Sequence, residues 1–550
     1  MTQTKLPGVK SEQKLVAEVL AEKQRAISVS EFFAKNRHLL GFDNPRKALL
    51  TTVKEATDNA YDACEEVGVL PEIKVIIDQI SEDRFKVTVE DNGPGIVKQQ
   101  IPNIFARLLY GSKFHRLKQS RGSQGIGVSA AVLYGQLTTG KPARIISKIG
   151  PKEKAHYYEL HINTKTNEPE ILKEEEREWE GKEHGTKIQI ELEGKYHKGR
   201  LSVEEFLELA AIANPHGTIA YKGPEGEVIE FPRATNELPK EPKEIQPHPY
   251  GVELGVLIKM LRDTSASTLQ GFLQNDFCRV SPAVAKDICE KAGLYERARP
   301  SRIAREEADK LYQAIRQVKI MAPPTDCLAP IGEKQMLLGL KKEIDAEFYV
   351  AVTRPPAVYR GFPFAIEISL AYGGNLPKDE LVRVIRYANK APLQHQAGAC
   401  ALTKGIIHTA WKNYGLSQSR GTLPSGPIVI MIHIASVWVP FTSESKEAVA
   451  SYPEIMHEVK LAVQEVGRKL ALYIRKTVRA REQQERVQLF EHYIPELAAA
   501  LSELSGEKKA VIQESLEKTL KKGLKDLLAE ANAAEKTEIN GNVIVNGELA

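Results

Sequence analysis

The chain has 550 residues, 42% of them hydrophobic and 27% charged, with a net charge of +4. That length should hold about three domains with ample core, and the composition is ordinary for a soluble globular protein. So small a net charge identifies no partner, and any nucleic-acid contact must come from local clusters. The five cysteines, at 64, 278, 289, 327 and 400, form no C-x-x-C pair and read as free thiols in a reducing compartment. The start MTQTKLPGVK is polar, and no apolar run approaches the about 18 residues of a membrane span. The cytoplasm is the expected location.

Residues 1–35 read as a polar lead and a short helix, with a serine cap within Ile27-Ser28-Val29-Ser30-Glu31-Phe32-Phe33. The stretch 49–66 then organises the chain. Leu49, Val53, Ala56, Ala60, Ala63 and Val67 recur at steps of three and four, which is one buried face of a helix. Beside them run Glu55, Asn59 and Asp62 at the same spacing. Side chains four apart lie about 5–6 Å from each other, so Glu55 and Asn59 can reach one bound water and one metal ion together. A carboxylate suits a general base, and an amide oxygen suits a hard cation such as Mg2+. A solvated helix face could carry the same residues without a function, so the helix alone leaves both readings open.

Residues 73–80 and 85–90 alternate as an antiparallel hairpin, and 143–148, 156–162 and 186–192 are further alternating strands. The acidic run 173–183 reads as a solvated turn between strands. Val87-Thr88-Val89-Glu90-Asp91-Asn92-Gly93-Pro94-Gly95 is a strand ending in D-x-G-x-G. Its glycines let backbone approach a planar ligand, and the Asp91 carboxylate can accept hydrogen bonds from an adenine amine. Arg121-Gly122-Ser123-Gln124-Gly125-Ile126-Gly127 is a G-x-x-G-x-G ahead of the helix-like stretch 128–133. Backbone N–H groups on such a loop, at a helix start, suit phosphate.

These three motifs, in this order, resemble the GHKL ATPases: gyrase, the heat-shock chaperones, histidine kinases and mismatch-repair ATPases. The expected fold is a two-layer α/β sandwich. The resemblance implies that Asp91 and Gly95 hold adenine. It implies that Gly122, Ser123, Gln124, Gly125, Ile126, Gly127, Val128 and Ser129 close over the phosphates. It also puts Ser112, Lys113 and Thr186 at positions that touch nucleotide.

Residues 232–249 are rich in Pro, Lys and Glu, a linker signature, and 250–317 read as several short helices. Ser281-Pro282 is a cap followed by proline at the first helical position, and Gly293 closes that helix. Arg297, Arg299, Arg302 and Arg305 crowd the next segment, which resembles a helix–two-turns–helix module gripping DNA phosphates rather than reading bases. Residues 318–445 return to mixed α/β, with strands over 348–353, 364–369 and 427–436. Trp411-Lys412-Asn413-Tyr414 sets a cation between two aromatics, either a DNA-backbone contact or a packing turn. From 453 to about 533 the pattern is helical, with eight Lys/Arg between Lys460 and Arg486 and an apolar stripe of Leu489, Phe490, Tyr493, Leu497, Leu501 and Leu504. The last fourteen residues read as a loose tail with a small hairpin.

The pieces KEATDNAYDA, VEDNGPGI, YGSKF, RGSQGIGVSAAVLYGQLTTGKP, WKNYGL and VPFTSESKEA together resemble the B-subunit family of type IIB DNA topoisomerases (topoisomerase VI). The resemblance implies a GHKL ATPase domain at 1–231, a linker and helix–two-turns–helix DNA-binding domain at 232–317, an α/β transducer domain at 318–452, and stalk and C-terminal helices at 453–550. It implies ATP and Mg2+ as ligands, Glu55 activating water, Asn59 holding Mg2+, and Lys446 reaching back to the γ-phosphate. ATP would dimerise the N-terminal domains around double-stranded DNA. A DNA-cleaving A subunit, docked on the C-terminal helices in an A2B2 heterotetramer, would do the cutting, since none of the 18 tyrosines lies beside an acidic metal cluster outside the ATP helix. Arg297, Arg299, Arg302, Trp411, Lys412 and Tyr414 would touch DNA. Lys198 and Arg200 would do so too, although Lys198-Gly199-Arg200-Leu201 has one basic residue fewer than the family's usual loop. The rivals differ in kind. A histidine kinase would need a phosphoacceptor helix before residue 49, where only His38 stands, and a chaperone would need no basic helical module. A nucleotide-sensing scaffold without turnover sits badly with the intact Glu55.

Overall fold

The computed structural model describes residues 20–21, 24–113, 116–122, 125–520, 543–545 and 548–549. Helix α1 (Val29–Lys35) starts where the Ser28 hydroxyl accepts from the Glu31 N–H at 3.1 Å. His38 follows in a single 3-10 turn, Arg37–Leu40, rather than on a helix ahead of the next one. Helix α2 (Pro45–Glu66) opens with Asn44 accepting from the Lys47 N–H at 2.9 Å and with Pro45 at a position that needs no donor. Its predicted face, Leu49, Val53, Ala56 and Ala60, is buried in the first core, while Val67 caps the helix and is exposed.

Strands β1 (Glu72–Ser81) and β2 (Arg84–Glu90) form the expected hairpin, followed by α3 (Ile101–Ala106) and α4 (Gly127–Thr139). Then come β3 (Ala143–Lys148), β4 (Ala155–Asn163), β5 (Glu168–Arg177), β6 (Gly185–Glu193), α5 (Val203–Ala213), β7 (Thr218–Lys222) and β8 (Val228–Phe231). The sheet runs β5-β4-β3-β6-β2-β1-β7-β8 and is antiparallel except where β1 lies beside β7. Helices α2 and α4 lie together across β2 and β6, completing a two-layer sandwich. The acidic run departs from expectation: Lys173 to Arg177 belong to β5, and only the residues after Arg177 turn. Among the described residues β5 is the outermost strand and none pairs with its outer edge, where its charged residues deter a foreign strand from pairing.

Four helices, α6 (Leu254–Asp263), α7 (Leu269–Asn275), α8 (Pro282–Ala292) and α9 (Arg305–Gln317), enclose a second core around Leu257, Phe272, Ile288 and Leu311. The Ser281 hydroxyl caps α8 by accepting from the Val284 N–H at 3.3 Å, and Gly293 ends it at φ 67°, as expected.

Next follow α10 (Glu333–Glu343), β9 (Phe348–Thr353), β10 (Ala357–Tyr359), β11 (Phe362–Tyr372), β12 (Arg383–Ala388), β13 (Ala391–Pro392) and α11 (Ala401–Ile407). After the short pair β14 (Ser417–Gln418) and β15 (Pro424–Ser425) come β16 (Ile428–Ser436) and the stalk α12 (Pro453–Ser505). A hairpin of β17 (Val543–Val545) and β18 (Glu548–Leu549) pairs with the outer edge of β9, so the predicted tail hairpin joins a sheet. That sheet runs β13-β12-β16-β11-β9-β17-β18. It touches the first sandwich where α10 meets α5: a Cβ on Gly339 would stand 2.1 Å from the Ile212 carbonyl, so glycine permits the approach. The helical run is not continuous. Gly506, at φ 75°, caps α12, and residues 509–520 form a separate helix, because a left-handed glycine ends an α-helix. Residues 521–533 of the predicted run lie outside the described residues. All five cysteines are free, and among the described residues no helix is long and apolar enough to cross a membrane.

Candidate active site

One cavity of about 660 Å³ opens between α2, the end of β2, the glycine-rich loop and a loop at 440–448 before the stalk. Glu55, Asn59, Asp91, Gly95, Ser112, Lys113, Gly122, Gly125, Ile126, Gly127, Val128, Ser129, Thr186 and Lys446 all line it. Ser123 and Gln124 lie outside the described residues.

At one end the buried Asp91 has one oxygen already occupied. Its Oδ1 accepts from the Gly93 N–H at 2.9 Å and the Thr186 N–H at 3.2 Å. Among the described residues nothing donates to the other oxygen, which leaves it for a ligand's donor. Burial pushes the Asp91 carboxyl up to about 6, against the pull of those two N–H groups. Gly95, at φ 73°, passes so close to β3 that a Cβ would stand 2.0 Å from the Lys148 carbonyl. Any side chain there would push the backbone off the cavity wall.

At the other end the first turn of α4 meets α2. A Cβ on Gly127 would sit 1.8 Å from the Glu55 Oε2, and one on Gly122 would sit 3.3 Å from the Asn59 Oδ1. The loop glycines thus bring backbone against both side chains. The start of α4 carries free N–H groups and the positive end of the helix dipole, which favours anions.

Lys446 enters from the far region of the chain. The 440–448 loop is closed by the Thr442 N–H donating to the Ala448 carbonyl at 2.9 Å, with Lys446 at φ 53°. Its ammonium lies 3.4 Å from the Arg121 carbonyl at the root of the glycine loop. Burial lowers its pKa below the usual lysine range, and Glu55 opposes that shift. The loop is also tied to α2 by Lys47, whose ammonium bridges Glu447 at 2.5 Å and Asp43 at 3.0 Å.

Behind the loop, Asp62 accepts from Lys113 at 2.7 Å, from Arg121 at 2.9 Å and from the Gly122 N–H at 3.2 Å. Burial alone would raise the Asp62 carboxyl, but Lys113 and Arg121 outweigh it and hold it below the usual range. Lys113 therefore serves an ion pair here as well as lining the cavity.

The predicted DNA-contacting residues are scattered. Arg297, Arg299 and Arg302 are exposed on the helical module, and Lys198, Arg200 and Lys412 are exposed elsewhere. Lys198 is paired with Glu225 at 2.6 Å. Trp411 is a correction. It is 0% exposed, its indole N–H donates to the Ile406 carbonyl at 2.8 Å, and Tyr414 packs edge-on against it beneath the stalk. A ring so enclosed cannot lie on a duplex, so Trp411-Lys412-Asn413-Tyr414 is a packing turn with only its central lysine and asparagine outward.

Lys47, Thr51, Lys54, Gln394, His395 and Glu447 also line the cavity and were not expected. Lys47 and Thr51 carried a signal, since they extend the Glu55–Asn59 row toward the helix start in steps of four. Gln394, His395 and Glu447 arrive through tertiary structure and had none.

Two family models match the chain: histidine kinase-, DNA gyrase B- and HSP90-like ATPase over residues 44–195, and topoisomerase VI B subunit, transducer, over residues 323–486. The type 2 DNA topoisomerase 6 B subunit of Methanococcoides burtonii is 50% identical over 489 residues, covering 89% of this chain and 78% of that one. The protein of the same name from Methanosarcina mazei is 51% identical, over 88% of this chain and 78% of that one. The Archaeoglobus fulgidus protein is 53% identical, over 84% and 76%.

Proposed function

The chain belongs to the family of type 2 DNA topoisomerase 6 B subunits, the ATP-hydrolysing subunits of a type II topoisomerase, and we propose that its cavity performs that hydrolysis with the residues that line it. The observation that carries the reading is that Lys446, from the loop before the stalk, enters the same cavity as Glu55 and Asn59.

The free oxygen of Asp91 accepts from the adenine amine, while Gly95 keeps the wall flat for the ring. The 122–129 loop and the first turn of α4 surround the phosphates with N–H groups. Glu55 takes the proton of the attacking water as general base. Lys446 contacts the γ-phosphate and so links the presence of that group to the transducer sheet. Mg2+ fits the donor set. Asn59 offers a single amide oxygen beside the phosphate loop, and among the described residues no group of three His, Cys, Asp or Glu could hold a metal, which suits an ion that takes its other ligands from phosphates and water. When bound, the ion would neutralise phosphate charge.

We divide the chain into an ATPase domain (1–231), a linker and helical DNA-binding domain (232–317), a transducer (318–452) and a stalk with C-terminal helices (453–550). ATP binding dimerises two ATPase domains around double-stranded DNA. The exposed Arg297, Arg299, Arg302, Lys198, Arg200 and Lys412 grip phosphates. The exposed stripe of Leu489, Phe490, Tyr493, Leu497, Leu501 and Leu504 docks the DNA-cleaving A subunit of an A2B2 assembly. The test is ATP turnover and relaxation of supercoiled DNA with and without a co-purified A subunit, in parent and Glu55→Ala chains. The parent complex should relax DNA at the expense of ATP, and Glu55→Ala should bind nucleotide but turn over roughly 10²–10⁴-fold more slowly. Normal turnover by Glu55→Ala would remove the catalytic assignment.

A further inference from the structure

Strand β12 passes into β13 through Asn389 and Lys390, at φ 47° and 68°. A two-residue turn with both residues left-handed favours asparagine first and glycine second. Lysine in the glycine position is strained, and such strain persists only where surrounding structure over-determines it.

The surroundings do so from both sides. The Asn389 side-chain amide donates to the Ser120 carbonyl and to the Ser436 carbonyl, each at 2.9 Å. Ser120 immediately precedes Arg121, so this turn of the transducer sheet grips the root of the glycine loop. Lys390 is 4% exposed, and its ammonium lies 3.7 Å from the Glu65 carboxylate. Glu65, near the end of α2, forks onto the Arg121 guanidinium at 3.0 and 2.7 Å and also accepts from His216 at 2.8 Å. Arg121 in turn binds Asp62, which accepts from the Gly122 N–H.

In the other direction the Lys390 N–H donates to the His433 Nε2 at 3.0 Å. The His433 proton is therefore on Nδ1, where it donates to Glu367 at 2.7 Å. Glu367 is 0% exposed and also accepts from the Ile331 and Gly332 N–H groups, each at 2.7 Å. A chain of buried and partly buried polar groups thus runs from Gly122 to the middle of the transducer sheet, with the 3.7 Å Lys390–Glu65 ion pair as its longest step. None of Lys390, Glu65 and Arg121 lines the nucleotide cavity.

We propose that Lys390 is a positioning residue for ATP hydrolysis: through Glu65 and Arg121 it fixes the root of the phosphate loop to the transducer sheet. This is a second link between nucleotide and transducer, separate from Lys446, and it rests on reading the glycine loop as the phosphate loop. The link acts through the charge on Lys390, whereas its backbone strain opposes it. Glycine at 390 would relieve the strain while breaking the link, and arginine would preserve the link.

The test compares Lys390→Met, Lys390→Gly and Lys390→Arg with the parent and with Glu55→Ala, each as the full chain assembled with the A subunit and DNA, following kcat, KM for ATP and thermal stability. The expected result is a kcat at least about tenfold lower in Lys390→Met and Lys390→Gly, with KM within about threefold of the parent and Lys390→Arg near the parental kcat. Lys390→Gly should melt no lower than Lys390→Met, since it sheds the strain. Parental kcat in the folded Lys390→Gly chain overturns the proposal, as does a loss that arginine fails to rescue or that only tracks the unfolded fraction. If Glu55→Ala is inactive while the Lys390 variants are normal, only this link fails. If Glu55→Ala is fully active, the reading of the cavity fails and takes this inference with it.

Discussion

Replacing Gly127 with alanine separates stability from catalysis at the point where α4 meets α2. The new Cβ would stand 1.8 Å from the Glu55 Oε2 and 2.7 Å from its Cδ, where ordinary contact begins at 3.4 Å. The carboxylate must therefore retreat by about 1.5 Å, and as the end of a flexible side chain it can do so at little cost to the fold. Gly127 opens a helix, where alanine is favoured over glycine by up to about 1 kcal/mol. The fold should accordingly be unharmed or slightly stabilised, while a general base displaced by more than about 1 Å loses roughly 10²-fold in rate. Calorimetry alongside steady-state ATP turnover, with a fluorescent nucleotide confirming that the site still loads, reads both effects. Turnover within about threefold of the parent in a folded Gly127→Ala chain would refute the placement of Glu55 against the phosphate loop.

Other outcomes follow from the same geometry. Because Asp91 Oδ1 is taken by two N–H groups, its proton goes to the other oxygen, the one proposed to meet the adenine amine, so ATP affinity should fall as pH drops below about 6, and Asp91→Asn should abolish that dependence in a titration of nucleotide binding against pH. The effect on the unliganded fold has the opposite sign. The folded pKa is raised from 3.8 to about 6, so the contribution of Asp91 to stability is complete at low pH and is lost as pH rises toward and through about 6, which thermal melts across that window would register. Removing charge at Arg297, Arg299, Arg302 or Lys412 should weaken DNA binding evenly across sequences, each lost phosphate contact lowering the log–log salt slope by about 0.9, and a sequence-selective loss would mean base reading. Trp411→Ala should cost about 3–5 kcal/mol of stability in denaturant unfolding, whereas Lys412→Ala should cost almost none, since only the lysine is exposed.

Local features of the chain were legible where a local rule governs them. The helix under Glu55 and Asn59 follows from steps of three and four, the β1–β2 hairpin from alternation, and the close backbone approaches at Gly95, Gly122 and Gly127 from glycine motifs. The serine cap at 281, and the one within 27–33 that proves to be Ser28, follow from the same kind of rule. What was illegible depends on distant residues. Lys446 carries no local mark, and its place beside Glu55 came from resemblance alone. Trp411 could not be assigned to core or surface from its neighbours in sequence, because the stalk that buries it begins more than forty residues later. Lys173 to Arg177 looked like a turn because the charges that suit a solvated loop also suit an outermost strand. The Asn389–Lys390 turn was missed because lysine stands where a turn signal needs glycine. Residues that depart from local preference in this way are held by tertiary contacts, and here those contacts join the root of the glycine-rich loop to the transducer sheet.

One nucleotide should bridge Asp91 on the ATPase side and Lys446 on the transducer side of the cavity. A structure of the chain with a non-hydrolysable ATP analogue and Mg2+ tests it most directly. The expected contacts are the adenine amine on Asp91, Asn59 on the metal, and the Lys446 ammonium within hydrogen-bond distance of the γ-phosphate. A fully occupied site in which the γ-phosphate touches no residue of the 440–448 loop would contradict it.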